Sequence, residues 1–198
     1  MTLATNPYGM PPGTVLLGSR LLRPLFLRLL FLFSACLVPP AMAETGGKVL
    51  DHYHNPARQT YAGGQPSPGQ LRALAEAGVQ HVINLRPRAE QGGFDEADAV
   101  TAAGMQYHHL PIAGGRDINF DSAAKLDRLL SQTADQTVLL HCASGNRVGA
   151  LIALRASMAG VEKEAAIAEG KRWGLTGLES LVRQRLGAAE AAGETSEQ

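Results

Sequence analysis

Residues 138–154, VLLHCASGNRVGALIAL, constrain the fold more than any other stretch of the chain. Residues 137–140 form a short run without polar alternation, the pattern of a strand buried on both faces. Such a strand needs helices above and below its sheet. Gly145 then lets the chain turn, because glycine adopts left-handed backbone without a Cβ clash. A helix is expected over residues 147–158. Strand, glycine turn and helix in that order make one unit of an α/β fold.

The same alternation recurs upstream. Ser67 begins a helix, with Pro68 at its first position, Gln70 completing an S-x-x-Q capping box and Gly78 past its end. Residues 81–85 read as a buried strand and residues 95–103 as a helix with acidic residues in its first turn. Residues 106–110 read as a strand, followed by a long loop over 111–120. Asp121 is expected to cap a third helix, with Ala124, Leu126, Leu129 and Leu130 at core spacing. Residues 59–62 suit a short strand before a Gly63-Gly64 turn, and residues 44–58 read as irregular. Residues 163–173 and 178–186 would be closing helices, and residues 188–198 a disordered tail. The fold class is therefore α/β: a central, mostly parallel sheet flanked by helices. One such domain, residues 59–187, fits a chain of 198 residues.

The formal charge is balanced, with 18 basic and 18 acidic residues, and nothing points to a nucleic-acid partner. Arg20, Arg23 and Arg28 precede an apolar run over residues 29–38, and Ala41-Met42-Ala43 follows as an A-x-A site. This reads as a signal peptide over residues 1–43, exporting the protein to a periplasm. The apolar run is about half of what a bilayer span needs. The alternative is an uncleaved N-terminal anchor. Cleavage would remove Cys36 and leave Cys142 without a disulfide partner.

Cys142 sits where the buried strand leaves the sheet, the edge at which α/β proteins bind ligands. The turn and the following helix aim backbone N–H groups and partial positive charge at one point, a setting for a tetrahedral oxyanion. The same field favours a thiolate. Arg147 can add a bidentate fork.

The loop HCASGNR resembles that of the cysteine-dependent phosphatase superfamily, H-C-x-x-G-x-x-R. Within it, the chain resembles the bacterial phosphatase-like domain found in β-lactamase-hydrolase-like proteins. Gly64-Gln65-Pro66-Ser67 is similar to that family's G-Q-P-[ST], Val82-Ile83-Asn84-Leu85-Arg86 to its V-I-N-L-R, and Leu110-Pro111-Ile112 to its L-P-[IV]. The resemblance implies a cysteine-phosphatase-like fold and hydrolysis of phosphate monoesters, with Cys142 as nucleophile. Ala143, Ser144, Gly145, Asn146 and Arg147 would then hold the phosphate. Two departures stand out. Four residues rather than five separate Cys142 from Arg147, and Val148 replaces the Ser or Thr that commonly follows the arginine. Ser144 is a candidate substitute for that hydroxyl. The short loop also resembles C-x-x-G-x-R of rhodanese-type sulfurtransferases, in which the cysteine carries a persulfide. A third reading is an inactive oxyanion-binding module on the same fold.

A phosphatase needs a general acid. Asp117, in the long loop, is the candidate; the alternative is a solvated turn residue. Glu90 is the second candidate, with an Arg88–Glu90 surface pair as its alternative. Arg86 either adds positive potential at the strand edge or snorkels on the surface. His141 is expected to hydrogen-bond the loop and tune the thiolate, and Ser144 and Asn146 to orient loop amides. Trp173 reads as core. The sequence calls for no metal and no organic cofactor. The expected partner is a phosphorylated protein or a small phosphate ester, without stable membrane insertion once the signal is cleaved.

Overall fold

Five strands form one sheet in the order β1-β2-β5-β3-β4: β1 His54–Ala57, β2 Thr60–Gly63, β3 His81–Asn84, β4 Gln106–His109 and β5 Val138–His141. The computed structural model describes residues 48–196 except Ala134. The expected signal peptide, its cleavage site and Cys36 lie outside the described residues. Strands β2, β5, β3 and β4 run parallel, and only β1 is antiparallel. Their register puts Gly63 beside His141, His141 beside Asn84, and Asn84 beside His109. The four parallel strands therefore end on one edge, and each next residue begins a loop there.

Alternation along the central strands divides the core between two faces. Ile83, Val138 and Leu140 pack with α3 (Phe120–Gln132), α4 (Asn146–Met158), α5 (Lys163–Arg172) and α6 (Glu179–Ser196). Val82 and Leu139 face α1 (Pro68–Glu76) and α2 (Glu96–Ala102) through Leu71, Leu74 and Val100. Trp173 is buried in the first cluster, as its sequence context implies, and its Nε1 donates to Glu169. Among the described residues, no helix is long and apolar enough to cross a membrane.

The Ser67 capping box is present: Ser67 Oγ accepts from Gln70 N at 3.2 Å and Gln70 Oε1 from Ser67 N at 2.9 Å. Asp95 caps α2 by accepting from Asp98 N at 3.0 Å.

Three expectations need correction. Asn119, not Asp121, caps α3. Its Oδ1 lies 2.9 Å from Ser122 N, so the helix starts at Phe120 and Asp121 falls in its first turn. The segment read as irregular contains β1, an edge strand with exposed polar residues and hence no alternating apolar signal. Residues 188–196, read as a disordered tail, continue α6 to Ser196. Their alanines and glutamates are strong helix formers, and a folded helix was already there to extend.

Candidate active site

Cys142 follows β5 immediately and is 1% exposed. Its backbone N–H donates to Gly63 O at 3.2 Å, so the loop is tied to the end of β2. Gly64 and Ser144 continue that tie as an antiparallel bridge. Gly145 has φ 87°, and a Cβ there would lie 3.4 Å from Gly63 Cα. The left-handed backbone calls for glycine at this position, while the contact with Gly63 is of ordinary length. The resulting turn directs Gly145 N–H onto Cys142 Sγ at 3.1 Å. That donor and the amino end of α4 both direct N–H dipoles toward the sulfur. Val148, which stands where a hydroxyl was expected, is fully buried in the core. The hydrogen bond at the sulfur comes from the backbone instead.

Arg147 leaves the first turn of α4 and is forked by Glu90. Nη1 donates to Glu90 Oε1 at 2.9 Å and to Ile112 O at 2.7 Å, and Nη2 donates to Glu90 Oε2 at 2.6 Å. These bonds hold the guanidinium through Nη1 and Nη2, and Cys142 is a further side-chain partner of Arg147. The hydrogen bond to Glu90 holds the Arg147 pKa above its ordinary value, opposed by desolvation and aided by Cys142. The same bond holds Glu90 below the ordinary carboxylate value, helped by the charges of Arg147 and Arg86. Glu90 is thus the partner of Arg147 and not of Arg88 as one sequence reading had it.

Arg86 is neither a snorkelling surface residue nor a wall of the cavity. Its side chain is 16% exposed and donates to Gln65 Oε1 and to Glu90 O. It fastens the turn that carries Glu90. Asn146, expected to orient loop amides, instead accepts from Thr176 N at 2.9 Å and Leu178 N at 3.3 Å. It thereby pins the segment leading into α6 beside the loop. Ser144, Asn146, Arg147 and Glu90 line a cavity of ≈ 300 Å³ with Ile118 and Leu178 on its apolar side. Asp117 lies on the adjoining concavity, and its Oδ2 accepts from Ala113 N at 2.7 Å. Arg185 of α6 donates to Ile118 O and Gly115 O, which ties the same loop from outside.

A second layer lies beneath Cys142. Glu96 Oε1 is 2.7 Å from His141 Nε2. Glu96 Oε2 accepts from Asn84 Nδ2 at 2.7 Å and Gln65 Nε2 at 3.0 Å. Asn84 Nδ2 also donates to Tyr107 OH at 3.1 Å. Gln65 and Asn84 come from the G-Q-P and I-N-L-R motifs, so those motifs have a physical role in this layer. Sequence reasoning missed Glu96 and the pairing role of Glu90. An acidic residue in a first helical turn reads as solvent-exposed unless its burial is known. Among the described residues, no three His, Cys, Asp or Glu side chains converge as a metal site would require.

Residues 57–159, just over half of the chain, match the family described as Beta-lactamase hydrolase-like protein, phosphatase-like domain. A β-lactamase hydrolase-like protein of Xylella fastidiosa is 35% identical over 95 residues, which are 46% of this chain and 22% of that protein. Its counterpart in Agrobacterium fabrum is 31% identical over 101 residues, 49% of this chain and 23% of that one. The chain thus aligns with less than a quarter of either relative's length. Among solved structures, a DUF442 chain of Shewanella putrefaciens superposes with TM-score 0.56 at 23% identity, covering 72% of this chain and 97% of that one. The PP-IP phosphatase SIW14 of S. cerevisiae superposes with TM-score 0.56 at 16% identity, covering 73% and 93%. At these identities the two superpositions establish the fold alone.

Proposed function

The chain belongs to the family of phosphatase-like domains of β-lactamase hydrolase-like proteins and has the cysteine-phosphatase fold, and from that premise we propose that it is a cysteine-dependent phosphatase acting on phosphate monoesters. One observation supports this above the others: a cysteine at a strand end whose sulfur accepts a loop N–H at 3.1 Å, beside an arginine held edge-on by Glu90. The Cys142 thiolate attacks phosphorus and forms an S–P bond as the ester P–O bond breaks. The leaving oxygen takes a proton from a general acid. Water then attacks phosphorus, the S–P bond breaks, and phosphate leaves as the thiolate is restored. Nε–H and Nη2–H of Arg147, with the N–H groups of residues 143–146, hold the equatorial oxygens. Asp117 is the proposed acid. Its bond to Ala113 N must open for the carboxyl to reach the leaving oxygen, and such contacts commonly form only with substrate bound. The apolar side made by Ile118 and Leu178 suits a phosphorylated protein side chain or a small ester with an apolar face. On residues 1–43 alone, the proposed site of action is outside the cytoplasm.

A second reading is favoured by the loop itself. Four residues between Cys142 and Arg147 make a compact cradle of thiosulfate size. In that case Cys142 takes the outer sulfur of thiosulfate, sulfite leaves, and cyanide removes the sulfur as thiocyanate. The purified chain is assayed on an aryl phosphate and on thiosulfate with cyanide, with Cys142→Ser as control. Phosphate release that vanishes in the variant is expected. Thiocyanate without phosphate release would replace the phosphatase reading, and silence on both would leave an anion-binding module.

A further inference from the structure

One donor of Arg86 is buried without an acceptor. The side chain is 16% exposed. Nη1 donates to Gln65 Oε1 and Nη2 to Glu90 O. Nε–H is buried and makes no hydrogen bond among the described residues. An unmet buried donor on a charged group is costly, so one that persists calls for a reason. The backbone keeps the arginine in place: Arg86 N donates to Asn84 Oδ1 at 2.7 Å, and Arg86 O accepts from Gln91 Nε2 at 3.1 Å. Glu90 Oε2 lies 3.7 Å from Nε. That is ion-pair range, about 0.5 Å beyond the ordinary hydrogen-bond limit. The same oxygen accepts from Arg147 Nη2 at 2.6 Å, and Glu90 Oε1 accepts from Arg147 Nη1 at 2.9 Å. Glu90 therefore lies between two guanidiniums, bonded to one and just short of the other. The hydrogen bond to Arg147 comes first in holding its carboxyl below the ordinary value; desolvation opposes, and the charges of Arg147 and then Arg86 help. Glu90 also lines the same cavity as Arg147. Nη2 belongs to both edges of the guanidinium, so Oε2 is the Glu90 oxygen nearest a phosphate held on the Nε–Nη2 edge. Like charges that close repel.

We propose that Arg86 is a positioning residue that offers Glu90 a second seat: when a phosphate dianion reaches Arg147, Glu90 Oε2 passes from Arg147 Nη2 to Arg86 Nε while Oε1 stays on Arg147 Nη1. The movement is under about 1 Å. It gives Nη2 wholly to the phosphate and moves the carboxylate charge away from it. Glu90 stays ionised, because a cation still faces each of its oxygens. Arg147 stays anchored through Nη1, which also donates to Ile112 O at 2.7 Å. Arg86 does not line the cavity, so it acts on the phosphate only through Glu90. The inference rests on the proposed function in one respect, that Arg147 is the fork for the phosphate.

The test is nitrogen–proton NMR of the arginine Nε–H groups in the full chain, titrated with inorganic phosphate. The Arg86 and Arg147 resonances are assigned by their loss in Arg86→Gln and Arg147→Lys. Both resonances are expected to move together as phosphate is added. That of Arg86 should move downfield and exchange with water more slowly, as a newly bonded N–H does. In Glu90→Gln the Arg147 resonance should still respond and that of Arg86 should not, because no charge is handed over. A response from Arg147 alone in the unaltered chain would overturn the proposal and leave Arg147 as the fork. Silence from both would remove phosphate from Arg147, and the fork reading would fall together with the hand-over. An Arg86 response that persists in Glu90→Gln would overturn the route through Glu90. Calorimetry of phosphate binding gives a second measure, with circular dichroism to establish that each variant folds. Arg86→Gln should weaken binding roughly tenfold in the parent, and by about twofold or less in a Glu90→Gln background. Equal losses in the two backgrounds would overturn the proposal, since Arg86 would then act independently of Glu90.

Discussion

Arg147 has two edges with two kinds of partner. Glu90 takes one edge through bonds of 2.9 and 2.6 Å, and the other is the edge proposed to hold the anion. Lysine could supply the charge but not this geometry, so Arg147→Lys should lower kcat/KM by about 10²–10³-fold in the aryl phosphate assay. Glu90→Gln keeps the arginine and loosens its aim, and should cost between roughly 10- and 100-fold. A general acid at Glu90 would instead remove the basic limb of the pH–rate profile in that variant, which would count against the pairing role. The sign of the stability effect also follows. The folded-state pKa of Glu90 is depressed, so its contribution is present above the unfolded value of about 4.3 and is lost as pH falls through the folded one. Urea midpoints at pH 7 and pH 3 should therefore differ less in Glu90→Gln than in the parent.

Helix α4 is held against α5 and the turn after it by two glycines. A Cβ on Gly149 would overlap the backbone of Leu175 and Gly170, and one on Gly170 would lie 2.6 Å from Gly149 O. At both positions the nearest obstacle is backbone, which no side-chain rotation can move away. Gly149→Ala should lower stability by about 1–3 kcal/mol in thermal or urea unfolding, and should weaken activity as well, because the amino end of α4 carries Arg147. Unaltered stability would mean that α4 and α5 separate more readily than their packing implies. The elements themselves were largely legible. The Ser67 box, the Asp95 cap and Gly78 after α1 act within four residues, and sequence reports such neighbours directly. Asp121 is the cap the sequence suggests, and the backbone path into α3 gives the role to Asn119 instead. Strand β1 carries no apolar signal because it lies at an exposed edge.

Over the whole molecule, α6 governs a loop far away in the chain. Arg185 reaches Ile118 O at 3.2 Å and Gly115 O at 3.4 Å, and Leu181 lies against Gly115. Asn146 ties the segment before α6 to the catalytic loop candidate itself. Arg185→Ala removes a half-buried side chain that bonds loop carbonyls, and should leave the melting temperature within a few degrees. If Asp117 acts from that loop, the variant should lose kcat/KM several-fold on poor leaving groups and little on activated ones. Equal loss on both would take the proton transfer away from this loop. The sequence alone determined the α/β alternation, the left-handed turn at Gly145 and the place of Cys142 at the carboxyl end of a buried strand. Backbone sterics and hydrophobic period set these, and both act locally. Tertiary structure decided which ions meet. Glu90 and Arg147 are 57 residues apart, and Glu96 reaches His141 and Gln65 only because β5 lies between β2 and β3. A carboxylate looks the same in sequence whether it faces water or a buried imidazole, and strand order makes the difference.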